Sequence, residues 1–176
     1  MVQLYSLMWI LAIFFAIVGF QRGWNRELIA TSGIILGFFA LFQFDSFVRG
    51  TLLLAFPPEQ AFFIQAALFV TIVFFSYQNR VFIAEPKPGR LNLQAGLLGA
   101  LVGFINGYLI GGTIWYFLDI NQYPFAPYVL APTATSPSAS QLGSMPLVVL
   151  GGGIGGTGDL LAVAVILLFL MVLIVL

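Results

Sequence analysis

The sequence predicts an all-α, polytopic integral membrane protein of four to five transmembrane helices packed through small-residue (glycine) faces. Three observations lead there. Of the 176 residues, 61% are hydrophobic and 7% charged, where an ordinary soluble domain is about a quarter charged. A soluble fold of this length leaves too much surface in water to hide so many apolar side chains. The apolar residues also gather into runs suited to crossing about 30 Å of hydrocarbon. In the longest run, 91–118, Gly99, Gly103, Gly107 and Gly111 recur every fourth residue, flanked by Gly96 and Gly112. On a helix this spacing makes one side-chain-free stripe. In water each such glycine costs about 1 kcal/mol against alanine, whereas in lipid the groove admits a second backbone at close range. The stripe is expected to lie against another helix at a right-handed crossing of about −40°. The candidate mates are the first two spans, through Ala12, Ala16, Gly33 and Gly37. Leu101 and Leu109 are placed on other faces, where replacement should be tolerated.

The elements follow in order. Residues 4–20 form a first apolar run with neither the basic start nor the small-residue cleavage site of a secretory signal, so it reads as a retained span. A polar turn, Gln21-Arg22-Gly23-Trp24-Asn25-Arg26-Glu27, leads into a second span over 28–44. Residues 45–59 are too short to span and too apolar for a solvated loop, which suits a helical turn at the interface. A third span covers 60–77, followed by a cationic loop, 79–90, in which Pro86 and Pro88 bar a helix. The glycine-stripe run is the fourth span, with Trp115 and Tyr116 expected at the far interface. Residues 119–159, rich in Pro, Ser, Thr and Gly, read as an extramembrane loop ordered by what it lies against. Residues 160–176 are a fifth, short span. The domain reading is thus a four-helix membrane domain (1–118), the loop and the last span.

Five of the six Lys and Arg residues fall in the turn after span one and the loop after span three; the alternate loops hold Arg49. The positive-inside rule then puts the N-terminus and the 119–159 loop outside the cytoplasm. On this reading a cysteine at Ser138 is reached from outside and one at Asn79 is not.

Several chemistries lose their usual residues. The chain has no cysteine and no histidine, the commonest ligands of haem, iron–sulfur, zinc and copper. No cofactor, metal or catalytic residue is therefore expected. Net charge is zero, which gives no basic patch for nucleic acid, and no soluble substrate is indicated. Gly151-Gly152-Gly153-Ile154-Gly155-Gly156 fits G-x-G-x-x-G, but a dinucleotide site needs a soluble βαβ unit around it. Here a hydrophobic run follows, so a flexible glycine segment is expected, with Thr157 or Asp159 capping the last helix. Every acidic or basic residue sits near a span end or in a loop, which argues against a buried proton relay. Arg22, Arg26 and Glu27 read as headgroup anchors. Among deeper polar residues, Asn106 beside the stripe and Gln65 are expected to form interhelical hydrogen bonds.

Two stretches resemble one family. Gly19-Phe20-Gln21-Arg22-Gly23-Trp24-Asn25-Arg26-Glu27-Leu28 looks like the short turn joining the first two spans of colicin V production proteins, which are small bacterial inner-membrane proteins. Gly96-Leu97-Leu98-Gly99-Ala100-Leu101-Val102-Gly103-Phe104-Ile105-Asn106-Gly107 is similar to that family's glycine-rich last span. The resemblance covers about residues 1–118. It departs at Asn92, Gln94 and Asn106, where the family often carries charged residues, and in the added loop and fifth span. Two functions follow as expectations. One is a non-catalytic accessory subunit packing against other integral membrane subunits of a respiratory or photosynthetic electron-transfer complex. The other, implied by the resemblance, is a stand-alone protein in export or envelope homeostasis, acting as a small channel.

Overall fold

A computed structural model describes residues 3–78, 93–153 and 156–175, without the side chains of Ser46 and residues 171–175. The cationic 79–90 loop lies outside the described residues. The fold is all-helical among them. Four helices are long and apolar enough to cross a membrane: α1 (Leu4–Arg22), α2 (Trp24–Gln43), α4 (Pro58–Tyr77) and α5 (Leu93–Ile120). Between α2 and α4 a single turn, α3 (Asp45–Phe47), runs into a π-helical turn, Val48–Leu52, closed by the Leu53 N–H on the Val48 carbonyl. Pro58 opens α4 at a position where its missing N–H costs nothing.

Helices α1 and α2 are joined by one residue. Gly23 has φ +78° and ψ 160°, a backbone shape that side chains rarely adopt. Its N–H donates to the Gly19 carbonyl at 2.9 Å, and its own carbonyl receives the Glu27 N–H at 3.3 Å. This turns the chain sharply between the two helices, and α2 packs on α5 and α4 rather than along α1.

Helix α5 is the spine of the bundle, and α1 is its most intimate neighbour. A Cβ on Gly99 would lie 2.9 Å from the Gly23 Cα, one on Gly103 3.0 Å from the Gly19 Cα, and one on Gly107 2.6 Å from the Ala12 Cα. One on Gly111 would meet the Met8 Cα at 3.4 Å. The stripe therefore seats the α1 backbone along four turns. Ala12 is fully buried there, while Ala16 is half-buried. The second span is not a mate of the stripe. Gly33 and Gly37 face α4 instead, against Ser76 and Ile72, because α2 turns its glycines toward the helix that follows it. Leu109 is also not on a lipid face. It is 6% exposed in a core with Ile34, Phe38, Phe69 and Phe117, whereas Leu101 is 60% exposed.

Residues 121–153 fold back onto the bundle. They include α6 (Pro137–Ser140), a 3-10 turn (Leu142–Ser144) and α7 (Pro146–Leu150). Tyr123 and Met145 join Met8, Trp115 and Leu118 in a second apolar core. Pro146 closes on Gly112, where a Cβ would meet its Cγ at 2.6 Å. Trp115 is thus 2% exposed under this segment rather than at an interface, and its indole N–H donates to the Tyr123 hydroxyl at 3.0 Å. The Tyr123 phenol, donating in turn to Asp119, is held above the usual tyrosine value mainly by burial. Ser138 is 1% exposed, tied to the Gln3 side chain.

Residues 151–153 form a built turn. Gly152, at φ +90°, donates to the Val149 carbonyl and Gly153 to that of Val148, the double bond that ends α7 in a Schellman motif. The last helix, α8 (Asp159–Val175), takes its first backbone bond on the Gly158 carbonyl, so Gly158 occupies the cap position expected of Thr157 or Asp159. Its φ of +81° excludes side chains easily, and the Phe42 ring fills the space beside it. Leu161 buries α8 against the central core.

Candidate functional site

The buried face of α2 repeats with helical period through Glu27, Ala30, Ile34, Gly37 and Phe38. Its first member is a carboxylate. Glu27 is 0% exposed, which corrects its reading as a headgroup anchor. Sequence distance from the span end misleads here, because the one-residue hairpin at Gly23 turns the first helical turn of α2 into the bundle. Asn106, also 0% exposed, stands at the midpoint of α5 directly beside the glycine stripe.

Around Glu27 the groups interlock. Arg22, the last residue of α1, donates from Nε to Glu27 Oε1 at 2.7 Å. Tyr77, the last residue of α4, donates its hydroxyl to Oε2 at 3.0 Å, and Asn106 donates Nδ2 to the same oxygen at 3.0 Å. The Asn106 amide also reaches the Glu27 carbonyl at 3.2 Å. The Thr31 hydroxyl lies 2.7 Å from Asn106 Oδ1 and 2.8 Å from the Glu27 carbonyl, sharing one proton between them. Arg22 adds a bond from Nη2 to the Tyr77 carbonyl at 3.2 Å and stacks over the Tyr77 ring at 4.7 Å.

The electrostatics are self-consistent. A carboxylate taken out of solvent needs a partner and hydrogen bonds to repay its lost hydration. Here it receives a guanidinium, a phenol and an amide, each a donor matched to an acceptor-only group. It also sits in the first turn of α2, where the helix dipole favours negative charge. The cluster joins all four long helices through side chains. Chemically it can hold the bundle in one arrangement and can trade a proton or an ion pair if the helices move. An ionisable group inside a membrane bundle marks a functional site by default.

Gln65 is elsewhere. At 5% exposed on α4, it accepts a 2.7 Å bond from Asn121 just beyond α5. The structure therefore brings Asn106 and the stripe glycines to one place and leaves Gln65, Gly33 and Gly37 outside it. Glu27, Arg22 and Tyr77 were missed as a site by sequence reasoning. The signal for Glu27 was present, since it falls in phase with Ile34 and Phe38.

The family model for the colicin V production protein matches residues 6–144. The chain belongs to the colicin V production protein family. No curated protein and no solved structure matches it. The family match extends past the 1–118 resemblance and takes in the first part of the segment that folds back over Trp115, as far as residue 144. It contains every member of the Glu27 cluster, the single-residue hairpin and the whole stripe. Helices α7 and α8 lie beyond it. As a family member with four helices fit to cross a bilayer, the chain is a multi-pass membrane protein.

Proposed function

We propose that the chain works as a stand-alone, non-catalytic colicin V production-like protein of the bacterial inner membrane, in export or envelope homeostasis, with the Glu27 cluster as its working interior. The observation that carries this reading is the family match over a segment holding the whole cluster. A buried acid bonded to three neighbouring helices supports a small channel or coupling element, since such groups in membrane bundles serve passage or gating more often than anchoring. Positive-inside asymmetry supports an N-terminus and a 119–159 segment on the outer side. The expectation of an accessory subunit in a respiratory or photosynthetic complex finds no support in the family match.

The test is genetic and quantitative. The gene is deleted in the source bacterium, and two readings are taken: release of a secreted peptide toxin and entry of an impermeant dye. Deletion should change at least one of them. Wild-type chain should restore it, and Glu27→Gln at equal membrane level should not. A deletion strain equal to its parent in both readings, or full restoration by E27Q, contradicts the proposal.

A further inference from the structure

At the opposite end of α2 from Glu27, the interfacial segment stands off from the bundle. The π-helical turn and the residues after it enclose a cavity of about 280 Å³ against α4, α5 and α7. A single water needs about 10–15 Å³ on such a measure, so this is no packing flaw. Val48, Leu53, Ile64, Leu68, Phe117 and Leu147 are among the apolar residues of its wall. The polar groups on the lining are Asp45, Gln65 and Tyr116, and two of these are already engaged. Gln65 Oε1 holds Asn121, and both Asp45 oxygens take Arg49, from Nε and Nη2, each at 2.6 Å. The interior offers little to water or a polar solute and much to hydrocarbon.

Access and charge narrow the occupant. Ile64 and Leu68, on the apolar helix α4, line the cavity and are 41% and 50% exposed. A chain can therefore enter sideways from lipid. At the rim the Asp45 and Arg49 side chains are 35% and 42% exposed. Together they present one acceptor and one donor of opposite charge, with no net charge. A phosphate–ammonium headgroup matches such a pair, whereas a purely anionic headgroup meets Asp45 as well as Arg49.

We infer that this cavity is a lipid site that takes one acyl chain of a zwitterionic phospholipid, with its headgroup on the Asp45–Arg49 pair. The volume, at the lower edge of ligand pockets in general, suits one chain rather than a whole lipid. The π-helical turn contributes by widening the segment's backbone around Val48 and Leu53, as π-turns at functional sites do.

The experiment uses the full chain, equilibrated with vesicles of equimolar phosphatidylethanolamine and phosphatidylglycerol, extracted in mild detergent and weighed intact by native mass spectrometry. Wild type should retain one phospholipid per chain, with phosphatidylethanolamine favoured about threefold, the discrimination that one exposed ion pair supplies. Ile64→Trp, which fills the entrance from an exposed position, should lose the lipid. Leu101→Trp, on the outer face of α5, should keep it. Asp45→Asn, which removes the carboxylate that an anionic headgroup would meet, should keep a lipid but erase the preference for phosphatidylethanolamine. Retention by Ile64→Trp equal to wild type, or detergent alone on the wild-type chain, overturns the site. Parity or a phosphatidylglycerol excess on the wild type overturns the headgroup assignment.

Discussion

Adding one methyl group at Gly107 is a sharp test of how α1 is held. A Cβ there would stand 2.6 Å from the Ala12 Cα, 2.7 Å from the Leu11 carbonyl oxygen and 2.9 Å from the Phe15 Cβ. Two of the three are backbone atoms, so no rotamer change relieves them. Ordinary contact begins at 3.4 Å, which requires the two backbones to separate by most of an ångström. Overpacking of this kind costs about 1–3 kcal/mol. Alanine regains about 1 kcal/mol of helix propensity, so Gly107→Ala should come out destabilised by up to about 2 kcal/mol, and Gly107→Leu by more. The same shift pulls Asn106, the next residue, off its bonds to Glu27. Unfolding in mixed micelles, titrated with a denaturing detergent, reads the difference directly. Leu101→Ala, at an exposed site, should stay within about 0.5 kcal/mol. A Gly107→Ala chain that is more stable than wild type would show propensity acting alone on an open face, and the packing argument would fail.

Three further outcomes are expected. Glu27→Ala leaves the Arg22 guanidinium, the Tyr77 hydroxyl and the Asn106 amide without their shared acceptor and should cost about 3–5 kcal/mol in the same titration; a loss below about 1 kcal/mol would mean that the cluster does not hold the bundle. Burial, first, and Asp119 hold the Tyr123 phenol above its ordinary value, so the unfolded chain ionises at lower pH than the folded one. Stability is then fully present below about pH 10 and falls as pH rises beyond it, and Tyr123→Phe should flatten that fall; identical alkaline profiles would count against it. Because Ser138 is buried, the labelling test of orientation moves to Tyr128, which is 92% exposed: a cysteine there should react with an impermeant thiol reagent in intact cells and one at Lys87 should not, and the reverse pattern would invert the orientation.

The class, the helices and the packing role of α5 were legible because each depends on short-range facts: run length, glycine spacing and a proline at a helix start. What α5 packs against was only half legible. The stripe pointed to a backbone, but choosing between Ala12 on α1 and Gly33 and Gly37 on α2 depends on the hairpin at Gly23, which rotates α2's glycines toward Ser76 and Ile72. The site was missed for a related reason. Distance along the chain is a poor measure of burial here, since Glu27 is near a span end in sequence while touching the midpoint of α5 in space. Its phase with Ile34 and Phe38 was the better guide. The 119–159 segment was legible in composition alone. Met145, Pro146 and Tyr123 are buried by partners over a hundred residues away or on α5, and no local pattern announces such contacts.

The glycine face of α5 seats α1 and thereby assembles the Glu27 cluster. The chain has no cysteine, so a single engineered pair reads this contact without background. A Cβ at Gly111 would stand 3.4 Å from the Met8 Cα, within the reach of a disulfide. Met8→Cys/Gly111→Cys, oxidised in native membranes, should close an intramolecular crosslink in nearly every chain, seen as a shift in mobility that reductant reverses. Full expression with no crosslink, or with crosslinks only between chains, would mean that α1 does not lie in the groove.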